Sequence, residues 1–480
     1  MSTAEYLALA PLLTISGGLT IMLLVIAFFR SHRVAHVSAL VTLAATVLSI
    51  LTCTPDSPQV VLDLLVVDGF AGYFMLLFAA MGIITCTLAY RYLEGRSGGL
   101  EEFYILVVTA TIGAMTMAMA QHYATLLLGL EILSISLYTM IAYPQETHAP
   151  LEAATKYLIL SGVASTTMLF GIALIFMASG DLYFSSLMAD ASGPYHTLGQ
   201  LMLLTGLAFK LSLVPFHMWT PDVYQGAPAP VTGYIATVSK GALFALLLRF
   251  ALVSDVLSVS AVFVALSTIA IASMIIGNVL ALMQQNLKRL LAYSSIAHMG
   301  YMMIALLAIS ALTDTATAVE SAMVYLLGYF LMTATAFGVI SIQSNAKENG
   351  DAELISHYSG LFWRNPLLAS VLTVTMLSLA GMPLTVGFIA KFYLFAAGVE
   401  SNLWALLWAL VIGSAISVYY YIKVIFTMTL NEQPDSYAHP ETTWSTRSTL
   451  YALGLAVLVL GFYPTPVIEL IGQLLSGFSD

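Results

Sequence analysis

Charge is scarce in this chain. Only 8% of its 480 residues are Asp, Glu, Lys or Arg, 60% are hydrophobic, and the mean hydropathy is +0.92. A soluble domain carries about 25% charged residues, so a water-facing surface cannot be built from this supply and lipid must be the main solvent. Cysteine is nearly absent as well: Cys53 and Cys86 are the only two, both in or beside apolar segments. Without a Cys-x-x-Cys pair, a Cys/His cluster or a glycine fingerprint on a strand–helix unit, the chain has no means of its own for holding an iron–sulfur cluster, a flavin or a nicotinamide. No basic stretch precedes the first apolar segment, Tyr6 to Phe29, which is too long for the core of a secretory signal, and it is read as a first helix that stays. The formal net charge of −10 argues against a nucleic-acid partner, although in a lipid-facing chain the placement of charges matters more than their sum.

Long apolar runs are what the sequence has instead. At roughly 20 residues per crossing, they predict an all-α polytopic membrane protein of about fourteen transmembrane helices. The expected spans are 6–29, 34–54, 69–92, 103–120, 123–143, 152–178, 198–219, 229–251, 257–281, 288–310, 317–343, 366–399, 403–430 and 449–472. The segment Pro58 to Val67 is too short to cross, and its β-branched, partly alternating pattern suggests a strand or hairpin on one face. Basic residues sort by side. Arg30, Arg33, Arg91, Arg96, Lys288, Arg289, Lys347, Arg364 and Arg447 follow odd-numbered spans, whereas Asp56, Asp63, Asp181, Asp314 and Glu400 mark the other side with only Arg249 near them. The positive-inside rule then places both termini on the periplasmic side of a bacterial inner membrane.

Five basic residues remain: Lys156, Lys210, Lys240, Lys391 and Lys423, all within apolar spans. A lysine at the bilayer centre costs about 2.5–3.5 kcal/mol to insert and usually faces the bundle interior, where it serves a pathway. Near a helix end it can instead reach the interface, a reading that suits Lys423 and competes for Lys156. Lys210 and Lys240 sit near mid-span. Glu131 is the one carboxylate in the middle of a span. Isolated, a buried acid or amine would give up its charge, so Glu131 is expected to pair with Lys210 or Lys240. Opening and closing such a pair is a way to load and release a proton; a static pair that only fixes helix packing is the plainer alternative.

Two spans are broken, one by Pro215 after Lys210 and one by Gly381, Pro383 and Gly387 before Lys391. Proline removes a backbone donor, and irregular backbone at membrane depth is tolerated where it lines a cavity or is buried in protein. The breaks fall in the seventh and twelfth helices, five apart. Paired interruptions of this kind mark inverted repeats in transporters. The expected organisation is therefore 1–102 with helices 1–3 and the short strand or hairpin, 103–251 as a first five-helix repeat (helices 4–8), 252–430 as an inverted second (helices 9–13), and 431–480 as a loop and last helix. His298, in the tenth helix, has a side chain suited to relaying protons between the repeats, or it is simply a hydrogen-bonded histidine. His217, Asp222 and Tyr224 are expected to stabilise the first break. Ser294, Ser295 and Tyr419 to Tyr421 either line polar half-channels or make ordinary interhelical bonds.

The stretch FKLSLVPFHMWTPDVYQGAPAPV, then ATVSK ending at Lys240, NLKRLLAYSSIAHMGY, SLAGMPLTVGFIAKFY and VDGFAGYF resemble the antiporter-like subunits of respiratory complex I along nearly the whole chain. Among the bacterial members the sequence looks closest to the smallest. Another member has glutamate where Lys391 stands, and a third continues into a lateral helix after its last span. The resemblance implies fourteen helices in two inverted repeats, with the family's site residues falling on Glu131, Lys210, Lys240 and Lys391. It also implies an assembly with other membrane-arm subunits, further antiporter-like ones included. That assembly passes electrons from NADH through FMN and iron–sulfur clusters, all in other subunits, to a quinone. Quinone reduction would disturb a line of buried charges and drive a proton from Lys210 through Lys240 and His298 to Lys391. A cation/proton antiporter subunit of the same superfamily, or a scaffold whose buried charges only hold helices together, are the alternatives.

Overall fold

The computed structural model describes residues 2–55, 57–94, 99–143, 148–185, 193–311, 315–344, 351–431 and 443–476. Four of the residues used to assign sides, Asp56, Arg96, Asp314 and Lys347, lie outside these. Among the described residues, twelve helices are long and apolar enough to cross a membrane. The expected number was about fourteen; the two broken spans are divided into pieces shorter than a crossing, because their prolines and glycines end each half before it spans.

A short α1 (Thr3–Ala8) leads into α2 (Ala10–Phe28) and α3 (His32–Cys53). The expected hairpin follows, with β1 (Gln59–Val61) antiparallel to β2 (Leu65–Val67) and Gln59 opposite Val67. Asp68 caps α4 (Gly69–Leu93) by accepting from the Ala71 amide at 2.7 Å. After it come α5 (Glu101–Met119), α6 (Tyr123–Ile141) and α7 (His148–Ser179). The first broken segment comprises α8 (Pro194–Lys210) and α9 (Trp219–Gly226). Next, α10 (Ala229–Tyr234) and α11 (Lys240–Val253) form one span through a π-helical turn, Ile235–Ser239.

The second half begins with α12 (Ser260–Leu282), α13 (Leu287–Ala308) and α14 (Thr315–Gln343). A single turn, α15 (Leu361–Arg364), precedes the second broken segment, α16 (Pro366–Ala380) and α17 (Val386–Glu400). α18 (Trp404–Thr429), α19 (Trp444–Phe462) and α20 (Thr465–Ser476) complete the chain. The last pair corrects the expected span 449–472. Pro464 supplies no amide and forces its predecessor out of helix, so α19 stops at Phe462. α20 is amphipathic: it buries Ile471 and Leu475 while Glu469 and Leu470 are exposed.

Burial runs opposite to that of a soluble protein. The spans formed by α10–α11, α13 and α14 are almost wholly enclosed, and the apolar window of α13 is 100% buried against 22% for α2. The enclosed helices carry the polar residues. The outer ones turn leucine, valine and phenylalanine outward, as Leu158, Val163 and Phe170 do on α7. Small residues bring helices close. A Cβ on Gly199 of α8 would stand 2.7 Å from the Gly171 carbonyl oxygen of α7, a contact that only glycine allows. This approach sets Lys210, further along α8, against the polar face of α7.

Candidate functional site

Glu131, Ser134 and Tyr138 lie on one face of α6 by helical spacing, and Ser161 and Ser165 do so on α7. Lys210, the last residue of α8, reaches between them: its Nζ donates to Ser134 Oγ at 2.8 Å and to Ser161 Oγ at 2.5 Å. Ser161 also accepts from the Tyr138 hydroxyl. Glu131 is half-buried and accepts from Ser165 Oγ at 2.7 Å. No ion pair joins Glu131 to Lys210 or Lys240; the hydroxyls of Ser165, on the acid, and of Ser134 and Ser161, on the amine, stand there instead. The expected direct pair is therefore replaced by a hydroxyl-lined gap. Hydroxyls both donate and accept, so the gap can be satisfied whichever partner holds the proton.

The second group is centred on Lys240, buried and first after the π-helical turn. Its Nζ donates to Ser295 Oγ at 2.7 Å and lies 5.6 Å from the centre of the Tyr224 ring. Ser295 Oγ bonds the Tyr329 hydroxyl at 2.6 Å, and His298 Nδ1 bonds the Tyr325 hydroxyl at 2.6 Å. The rings of His298 and Tyr329 are 5.4 Å apart. The first and second groups meet at Tyr157, which packs edge-on to Tyr138 and lies on Ser239, the residue before Lys240.

Lys391 forms the third group. It is buried on α17, and its Nζ reaches back over the break to the carbonyls of Ala380 (2.9 Å) and Leu379 (3.2 Å), at the buried carbonyl end of α16. The nitrogen is 5.4 Å from the Tyr301 ring centre, and Tyr301 in turn packs on His298. Lys210, Lys240, His298 and Lys391 thus occupy one buried row, with Lys210 and Lys391 on the broken segments and Lys240 and His298 on enclosed helices.

Other candidates fall elsewhere. Lys156 is on the surface, in ion pairs with Glu152 (2.8 Å) and Asp222 (3.1 Å), and stands apart from the buried row. Asp222 also binds Arg289 at 2.8 Å, tying α9 to α13. Lys423 reaches the Gln284 carbonyl just past the end of α12. Arg249, the exception to the charge sorting, is buried on α11 in a bidentate pair with Asp68 (2.8 and 2.9 Å) and donates its Nε to the Ala118 carbonyl. Tyr224, expected to brace the first break, instead lies under Lys240. Ser294 bonds Tyr421 and the Tyr420 hydroxyl donates to Asn278, while Tyr419 faces outward. Ser134, Ser161, Ser165, Tyr301, Tyr325 and Tyr329 escaped the sequence reading. Their one signal there is helical spacing, with Ser134 at i+3 from Glu131 and Ser161 at i+4 to Ser165. Among the described residues no cluster of three His, Cys, Asp or Glu could hold a metal ion.

The row can be compared with known proteins. The family described as NADH:quinone oxidoreductase/Mrp antiporter, transmembrane, matches residues 120–417, which takes in both broken segments and all three lysines of the row. The chain belongs to this family. Within it, the chain is 46% identical over 482 residues to a protein of Ectopseudomonas mendocina named NADH-quinone oxidoreductase subunit N, covering 98% of this chain and 96% of that one. A chain of respiratory complex I from Thermus thermophilus, solved with bound aureothin, is 33% identical with a TM-score of 0.82 over 96% of this chain and 98% of that one. A chain of the Mrp complex from a Dietzia species has a TM-score of 0.86 at 20% identity, over 100% of this chain and 98% of that one. At that identity the likeness shows a common fold, and this fold is the antiporter-like membrane bundle with its two broken segments.

Proposed function

We propose that the chain is the subunit N type of antiporter-like subunit in the membrane arm of NADH:quinone oxidoreductase, and that it carries protons along the row Lys210, Lys240, His298, Lys391, with Glu131 at its head. The observation that carries the reading is the row itself: three lysines and a histidine, buried on the two broken segments and the enclosed helices between them in an apolar bundle, and set among hydroxyls and aromatic rings. Groups so costly to bury are kept where they do work. The near-full-length likeness to a protein named subunit N favours this assembly over a cation/proton antiporter, since the Mrp likeness extends to fold alone.

On this reading residues 103–251 and 252–430 are the two inverted repeats, between the first helices (1–102) and the C-terminal segment (431–480). The more basic end faces the cytoplasm of a bacterial cell, with both termini periplasmic. NADH, FMN, the iron–sulfur clusters and the quinone belong to other subunits, and the neighbours in the membrane include other antiporter-like subunits. Coupling is electrostatic. A charge disturbance arriving at Glu131 changes its separation from Lys210 across the serine hydroxyls and so changes which of them keeps the proton. Moving one charge against the membrane potential costs about 2.3 kcal/mol per 100 mV, and two units of pKa change supply about 2.7 kcal/mol, so a modest rearrangement is enough. Lys156, paired on the surface, serves the α7–α9 contact.

The test is Lys210→Ala and Lys240→Ala in the intact complex reconstituted in liposomes. Fewer protons moved per NADH oxidised, with slower quinone reduction, is the expected outcome. A wild-type ratio at a wild-type rate overturns the reading.

A further inference from the structure

Between His298 and Lys391 the row is interrupted by one aromatic ring. Tyr301 is buried, shows its ring to the Lys391 amine nitrogen at 5.4 Å, and meets the His298 ring edge-on with centroids 5.6 Å apart. Its hydroxyl is turned aside and accepts from Asn278 Nδ2 at 2.8 Å. Asn278 cannot turn its amide over: Nδ2 also donates to the Met274 carbonyl at 2.6 Å, and Oδ1 accepts from the Tyr420 hydroxyl at 2.9 Å. Gly413 closes the other side, where a Cβ would stand 2.8 Å from Asn278 Nδ2 and 2.9 Å from the Tyr301 oxygen. The phenol is thus held by its far end, with its carbon face toward the Lys391 amine and the His298 imidazole in edge contact with the same ring. Carbon neither accepts nor passes a proton.

We infer that Tyr301 is a gate between His298 and Lys391, latched shut by Asn278. This rests on the proton-row reading above. With the ring swung aside, the proton leaves the His298 imidazolium, crosses by water, and adds to the neutral Lys391 amine. His298 ends neutral and Lys391 ends as an ammonium, with no other change of charge. The new ammonium then attracts the ring face, as cations do, and draws the gate closed behind the transferred proton. Asn278 and Tyr420 are positioning residues: they fix where the ring rests.

The test uses the intact complex in liposomes, reading both protons moved per NADH oxidised and passive proton entry under an imposed gradient without NADH. Tyr301→Phe keeps the ring but frees it from Asn278, and Asn278→Leu removes the latch from the other side. Losing one hydrogen bond, about 1 kcal/mol, changes the ratio of open to closed ring about fivefold. Each variant should therefore leak about fivefold faster, and the double variant no faster than either single one. Tyr301→Ala should leak most, and adding Lys391→Ala should abolish the leak. Wild-type passive entry in assembled Tyr301→Phe and Asn278→Leu complexes overturns the gate, as does a leak that survives Lys391→Ala. Where Tyr301→Ala fails to assemble, the Phe and Leu variants decide. Normal pumping by Lys391→Ala alone would bring down the proton row and the gate with it. Defective pumping there, with tight Phe and Leu variants, removes the gate only.

Discussion

The two broken segments carry buried lysines on opposite sides of their breaks. Lys210 ends α8, before its break, and is held by hydroxyls from two other helices, α6 and α7. Lys391 lies within α17, after its break, and holds the last carbonyls of its own segment's first half. Hydroxyls donate and accept, so they can change roles when a proton moves; carbonyls only accept. Lys210 is therefore set in a medium that can hand a proton on. Lys391 is pinned by groups that cannot, so its traffic must pass by its free side, where Tyr301 stands. The breaks also close differently. The second is drawn tight, with the Gly387 amide donating to Ser378 Oγ at 3.0 Å across it. The first is tied to its surroundings as well as across itself: the Val214 amide donates to Ser273 of α12, while the Trp219 indole of α9 donates to the Phe209 carbonyl of α8.

If that contrast is right, the second break should be the less forgiving. A Cβ on Gly387 would stand 1.9 Å from the Ser378 carbonyl oxygen, which no side-chain adjustment can relieve. Gly387→Ala should cost about 3 kcal/mol or more, at or beyond the upper end for overpacking, and should show as loss of assembled complex or a lowered Tm. An assembled variant of wild-type thermal stability would mean that the second break is loose and the comparison mistaken.

A somewhat smaller effect is expected at the first break. Ser134→Ala with Ser161→Ala leaves the Lys210 amine buried without its two partners. Hydrogen bonds to a charged group are worth about 1.5–3 kcal/mol each, and because the pair shares one amine the two losses should not add. Protons moved per NADH should fall with the double variant and recover with Ser134→Thr and Ser161→Thr, which keep the hydroxyls. Unchanged pumping by the alanine pair would show that the hydroxyls are packing and not medium.

Much of this contrast could be read before any coordinates. Hydropathy located the spans, and Pro215 with Gly381, Pro383 and Gly387 located the two breaks, because proline and glycine act on their own stretch of backbone. The buried lysines stood out because lipid makes them expensive. What escaped was whatever depends on distant neighbours. The Asp68–Arg249 clamp joins positions 181 apart in sequence. The hydroxyls around Lys210 are hidden because serine and threonine in membrane helices usually bond their own backbone one turn earlier, as Ser136 does with Ile132; helical spacing puts Ser134 on the Glu131 face, but nothing local shows that it and Ser161 turn to a lysine instead. Glu131 was given a direct partner because an acid and an amine attract in any linear reading, and only the packing of α6, α7 and α8 shows what lies between them. Pro464 is legible in the sequence, but apolar residues continue on both sides of it and mask the end of the span.

The smallest effect concerns how each break turns its chain. Gly381, at φ +84, makes the turn after α16, and Ser212, at φ +66, makes it after α8. The left-handed region costs a side chain about 1–2 kcal/mol that glycine is spared; the second break meets that cost later, at Leu384 (φ +70), whereas the first meets it at the helix end itself, at Ser212. Ser212 is also fully buried, and no protein group bonds its hydroxyl. Ser212→Gly should therefore relieve both burdens, offset by glycine's greater freedom in the unfolded chain. The net gain should be about 0.5–1 kcal/mol, seen as a small rise in Tm with pumping unchanged. Ser212→Ala separates the contributions, because it removes the hydroxyl and keeps the strain. A stabilised glycine variant that pumps normally makes Ser212 a structural concession at a turn that glycine serves better. Should both substitutions lower the protons moved per NADH, the hydroxyl beside Lys210 belongs to the proton-bearing medium, and the two breaks differ in chemistry as well as in how they turn.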